Sequence, residues 1–160
     1  MKLMTLNAEE RAQTDFTHKV NIKYTDLTAG GLTQTLNILP TGTGAFAAGF
    51  SIWKAALKLI TPFTGGTIAT ATVTIGDAGT PARYLAAADV KTAVATNTKA
   101  YIVSATAYAY TPADIANPTT NVQALFTATS GNLNTATAGE CEIYLEARDI
   151  AELVRPTANP

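Results

Sequence analysis

The run from Ala69 to Ile75 reads Ala-Thr-Ala-Thr-Val-Thr-Ile, a strict alternation of apolar residues with threonine. A helix would scatter those threonines around its whole surface. A strand puts Thr70, Thr72 and Thr74 on one face and Ala71, Val73 and Ile75 on the other. The pattern therefore demands a sheet with one face in a core and one face outside.

The same period recurs along the chain. His18, Val20, Ile22 and Tyr24 fall opposite Thr17, Lys19, Asn21 and Lys23. Leu32, Leu36 and Ile38 fall opposite Thr33, Thr35 and Asn37, before a Pro-Gly-rich turn at 40–44. Cys141, Ile143, Leu145 and Ala147 fall opposite Glu140, Glu142, Tyr144 and Glu146. Further strands are expected near 100–110, with Tyr108 and Tyr110 on one face, and over 121–129. Segment 46–60 fits two periods. Phe50, Trp53, Leu57 and Ile60 match a helix, whereas Trp53, Ala55, Leu57 and Leu59 match a strand with Lys54 and Lys58 outward. We read it as a strand closed by a turn over 61–66, because its neighbours are strands. Residues 86–91 suggest a single helical turn inside a loop.

These elements predict an all-β, single-domain, jelly-roll-like β-sandwich of about eight strands with a short helical turn. Its expected parts are an N-terminal arm over 1–16, a sandwich over 17–154 and a loose tail over 155–160. The arm is either a short helix or extended. A chain of 160 residues is the size of one domain.

Charge narrows the function. Only 14% of residues are charged and the net charge is −1. Nucleic-acid binding needs a basic footprint, and a membrane-surface module needs clustered Lys and Arg. The longest apolar stretch, 45–60, is broken by Ser51, Lys54 and Lys58, too short to cross a bilayer as a helix. The chain holds 28 Thr and 30 Ala, over a third of its residues. So few charges leave a surface poorly guarded against association, which suits a protein whose faces are covered by partners.

The residues available for chemistry are sparse. His18 is the single histidine and sits on the inward row of a strand. No Gly-x-Ser-x-Gly elbow accompanies it. Cys141 is the single cysteine, flanked by Glu140 and Glu142, whose charges disfavour a reactive thiolate. Zinc requires several Cys and His at close spacing. Asp77, in Gly76-Asp77-Ala78-Gly79, offers one carboxylate where calcium takes six to eight oxygens, so an Asx turn is expected there. Glu140, Glu142 and Glu146 share one strand face, and paired carboxylates are the equipment of glycosidases. Their expected role is a solvated or interface face, with Arg148 close in sequence. The chain is expected to be a non-enzyme with no catalytic, cofactor or metal site.

The segment from Val73 through Gly76-Asp77-Ala78-Gly79 to Tyr84-Leu85-Ala86-Ala87, a strand ending in a turn that leads to a Tyr-Leu-Ala-Ala element, resembles a stretch in small jelly-roll capsid cement, or decoration, proteins of tailed bacteriophages. Segments 121–129 and 139–147 are similar to their last two strands, and the resemblance spans about 52–150. It implies a structural virion protein on the outer capsid surface, made in the host cytoplasm. It further implies a homotrimer that binds the major capsid protein and locks neighbouring shell subunits. Such multivalent contact raises avidity without strong single contacts. The family has no catalytic motif to carry over. Two other readings remain. One is a carbohydrate- or receptor-binding module of a phage fibre or tail, using Trp53 or the Tyr108 and Tyr110 pair as an aromatic platform. The other is a hydrolase working through the glutamate face.

Overall fold

The alternating segments pair into two antiparallel sheets stacked as a sandwich. The structure, a computed structural model, describes residues 1–39, 50–92, 101–103 and 121–149. Among them run β1 (Lys2–Thr5), α1 (Ala8–Thr14), β2 (His18–Lys23), β3 (Thr33–Leu39), β4 (Phe50–Thr64), β5 (Thr70–Gly76), β6 (Leu85–Asp89), β7 (Tyr101–Val103), β8 (Val122–Thr129) and β9 (Ala138–Asp149). One sheet has the order β1-β2-β9-β4-β7 and the other β3-β8-β5-β6.

That order is a hairpin of strands wrapped around a core. β5 pairs with β6, β4 with β7, β3 with β8 and β2 with β9. Winding this nested ladder so that β8 also meets β5, and β9 also meets β4, gives the jelly-roll strand order, with β1 added outside β2. The inner rows are those the alternation marks: Val20, Ile22, Leu57, Ile143 and Leu145 from one sheet, and Val73, Ile75, Ala124 and Phe126 from the other, each at most 1% exposed. Phe63 and Phe126 meet across the interior with ring centroids 5.5 Å apart. Cys141 lies in this core, fully buried.

One end of the sandwich is knitted by its loops. Leu133 N–H donates to Gly31 C=O (3.0 Å), Asn134 N–H to Ala29 C=O (3.1 Å) and Thr137 N–H to Thr64 C=O (2.8 Å). Gly131 makes this possible, since a Cβ there would lie 2.5 Å from the Ile68 nitrogen. At Gly139 (φ +149°) a Cβ would lie 2.3 Å from the Phe63 ring.

Several expectations are corrected. Residues 86–91 form no helical turn: Leu85–Asp89 is strand β6, and Val90 N–H donates to Ala71 C=O (2.9 Å). Alanine's helix propensity yields there to a free sheet edge. β4 runs through Pro62 to Thr64 instead of turning at 61, with register breaks around Thr61 where proline is tolerated. A bulge between Ile52 and Lys54 shifts the β4 parity. Ile52 takes the core position, and Trp53 is half-buried outside the core row.

Residues 1–16 are built into the body instead of forming a free arm. β1 pairs with β2 from Lys2↔Asn21 to Thr5↔His18. Helix α1 is closed by a capping box in which Glu10 N–H donates to Asn7 Oδ1 (2.9 Å) and Asn7 N–H to Glu10 Oε2 (3.0 Å). Leu6 and Phe16 bury themselves against Ala56 and Tyr144 in a small second core outside the sheet. The expected strand near 100–110 is seen as Tyr101–Val103. The rest of that segment, with Tyr108 and Tyr110, the turn at 40–44 and the tail 155–160 lie outside the described residues.

Candidate binding surfaces

The two outer faces of the sandwich differ in kind. The outer face of the β1-containing sheet is charged. Glu142 is clamped by Lys58 (3.2 Å) and Lys19 (3.4 Å), and the Tyr144 hydroxyl donates to its Oε2 (2.7 Å). Burial works to raise the Glu142 carboxyl, but the Tyr144 hydrogen bond and the Lys58 and Lys19 ammoniums outweigh it and hold its pKa below the usual range. Lys54 pairs with Glu146 (3.4 Å) and Asp15 (3.9 Å). Asn21 Nδ2 donates to Glu140 Oε1 (2.8 Å), and Lys23 approaches the same carboxylate (4.0 Å). The register explains the ladder: Lys19 lies opposite Tyr144, Lys23 opposite Glu140 and Lys58 opposite Glu142.

The glutamate row is less solvated than its alternation suggests. Glu146 is 4% exposed and Tyr144 7%; Leu6 and Phe16 pack over Tyr144. Cover supplied by a segment more than a hundred residues away leaves no signal in the local sequence. Toward the other end, an open groove of about 410 Å³ runs beside β1, lined by Met4, Asn21, Lys23, Asp26, Glu140 and Glu142 among others. A carboxylate that stays ionised is a poor general acid. What the ladder does chemically is hold β2, β9 and β4 together and present paired donors and acceptors to the groove.

The outer face of the second sheet carries no such ladder. Thr33, Thr35 and Asn37 of β3, Gln123, Leu125, Thr127 and Thr129 of β8, and Thr70, Thr72 and Thr74 of β5 form its three leading rows, aligned by the register. Thr70 and Thr129 hydroxyls hydrogen-bond across strands (2.7 Å), as do Gln123 and Asn37 (3.0 Å). No Asp, Glu, Lys or Arg occurs in β3, β5 or β8; the charge in this sheet's described strands is Asp89 at the β6 edge, opposite Thr72. This neutral face is legible in the sequence as charge-free windows over 27–39, 59–76 and 121–139, a signal that strand-by-strand reading passes over.

The single histidine, the single cysteine and Asp77 are each held by their surroundings. His18 is half-buried, its Nδ1 2.8 Å from the Thr17 hydroxyl, and burial followed by the Arg11 charge lowers its pKa. Burial raises the Cys141 thiol far above its usual value, with Glu140 and Glu142 adding to the effect. Asp77, 8% exposed, accepts from the N–H groups of Gly79 (2.9 Å) and Thr80 (2.7 Å) and from Arg83 Nε (2.5 Å). It is the internal lock of the β5–β6 loop, as the Asx-turn expectation requires. Among the described residues no group of three or more His, Cys, Asp and Glu is placed to hold a metal ion, and no helix is long and apolar enough to cross a membrane. No family model, curated protein or solved structure matches the chain.

Proposed function

We propose that the chain is a structural virion protein of the capsid cement type, bridging neighbouring major capsid subunits as an oligomer, for which the resemblance of 52–150 implies a trimer. The observation that carries this reading is the strand–loop–strand unit over 73–87, where the resemblance is densest. Its loop is locked from inside by Asp77 and holds residues 78–82 in solvent. A rigid tip made of Ala78, Gly79, Thr80, Pro81 and Ala82 costs little entropy when it docks, and a neutral sheet face suits association over chemistry. The test is immunogold labelling of virions from a phage encoding the chain. Regular label over the heads is the expected result, and heads without label would overturn the reading.

A second reading, a carbohydrate- or receptor-binding module of a fibre or tail, is favoured by the polar groove beside β1. Its donors and acceptors, Asn21, Lys23, Glu140 and Glu142, are of the kind that fix a hydroxyl-rich ligand. Label at the tail, together with a positive glycan array lost on Asn21→Ala, would select it.

A further inference from the structure

Among the described residues β3 is the outermost strand of its sheet, and the side it turns away from β8 has a definite pattern. Ala128 N–H donates to Leu32 C=O (2.7 Å), and the register from Leu32/Ala128 continues through Thr33↔Thr127, Gln34↔Phe126, Thr35↔Leu125 and Leu36↔Ala124. In an antiparallel pair, hydrogen-bonded and non-hydrogen-bonded positions alternate. Leu32, Gln34 and Leu36 therefore spend their main-chain groups on β8. Thr33, Thr35 and Asn37 direct their N–H and C=O groups away from it, toward an edge that no other described strand pairs with.

Proteins blunt such an edge with charge, proline, bulges or brevity. β1 carries Lys2, and β6 has five residues, a register break and Asp89. From Thr33 to Asn37 β3 has none of these; its register breaks only beyond Asn37. Thr33, Thr35 and Asn37 are all exposed, and Leu32, at its start, is 48% exposed.

We propose that β3 pairs antiparallel with β3 of a second copy about a two-fold axis at Thr35, joining two four-stranded sheets into one continuous sheet. This register sets Thr35 opposite Thr35 and Thr33 opposite Asn37. All three outward-directed residues of each copy then meet as hydrogen-bonded pairs, giving about six main-chain bonds. Charge selects the occupant. A two-fold axis brings like against like, so a lysine or glutamate row would repel itself. Hydroxyl and amide side chains are donors and acceptors at once and complement their own copies. This contact stands on the sheet edge alone and does not depend on any capsid.

The test compares wild type with Thr35→Pro and Thr35→Lys by sedimentation equilibrium. The Thr35 N–H makes no bond to β8, so proline there leaves the sheet intact, which the far-ultraviolet circular dichroism spectrum checks. The wild-type particle should have twice the mass of either variant. A Thr35→Cys variant should crosslink to itself on mild oxidation, since Cα atoms of a hydrogen-bonded pair lie about 5.5 Å apart, within disulfide range. Thr33→Cys should crosslink to Asn37→Cys and not to itself, and the buried Cys141 offers no competing thiol. Equal masses for wild type and the folded variants, or crosslinking of Thr33→Cys to itself in place of this pattern, would overturn the proposal.

Discussion

Replacing Phe16 by alanine separates a built-in N-terminal segment from a free arm. The Phe16 side chain is 8% exposed, and its ring centroid lies 5.8 Å from that of Tyr144 at an interplanar angle of 49°. Full burial of a phenylalanine is worth about 1.5–3 kcal/mol, and a tilted aromatic pair adds about 0.5–1.5 kcal/mol. The small core of Leu6, Phe16, Ala56 and Tyr144 lies outside the sheet, where water can fill the gap. The full cavity penalty of a central Phe→Ala change therefore does not apply. The expected loss is about 2–4 kcal/mol. With a urea m-value near 2 kcal/mol/M, the unfolding midpoint should fall by about 1–2 M at unchanged m. A change within about 0.5 kcal/mol, the range of ordinary surface substitutions, would refute the packing of residues 1–16 on the sheet.

Acid should loosen the fold in two stages. His18 has a lowered pKa, so its contribution is complete above the ordinary histidine value and is lost as pH falls through the folded one. Glu142, Asp26 and Asp89 are also lowered, and their contribution is lost further down, as pH falls below the ordinary carboxylate range through their folded values. Urea titrations across pH should show both slopes, and Glu142→Gln should remove part of the lower one. Unchanged acid dependence in that variant would count against the Lys58–Glu142–Lys19 clamp. Asp77→Ala should cost about 2–4 kcal/mol, since hydrogen bonds to a charged acceptor are worth about 1.5–3 kcal/mol each and water partly replaces them. It should also raise hydrogen exchange at Gly79 and Thr80, and unaltered exchange would show that the lock does not hold the loop.

The sandwich was legible because Val20, Ile22, Val73, Ile75, Ile143 and Leu145 keep period two without interruption, and their burial follows it. The failures have local causes. A bulge at Ile52/Lys54 inverts the parity on which the placement of Trp53 relied. The alanines of 86–88 follow helix propensity in isolation, but Ala88 lies opposite Val73 in the sheet. Tyr144 obeys the alternation and is buried all the same, because a second layer of cover comes from Leu6 and Phe16. The charged ladder needs the register, since the residues that meet there come from distant strands, whereas the charge-free windows that build the neutral face stand in the sequence itself.

Both sheets take a central strand from the end of the described chain: β8 lies between β3 and β5, and β9 between β2 and β4. During synthesis, N-terminus first, β2 and β4 cannot meet through β9, nor β3 and β5 through β8, until residues 122–149 have been made. At ordinary elongation rates the inner rows of β2 to β5 wait on the order of ten seconds for their partners. Folding is then gated by the last pairings to become available, which are also long-range and slow to close. A chain cut before residue 122 would retain β1–β2, β4–β7 and β5–β6 as isolated ribbons, each too small to hold a core. Arrival of β8 and β9 thus acts as a checkpoint, and copies terminated before residue 122 have no intact sandwich.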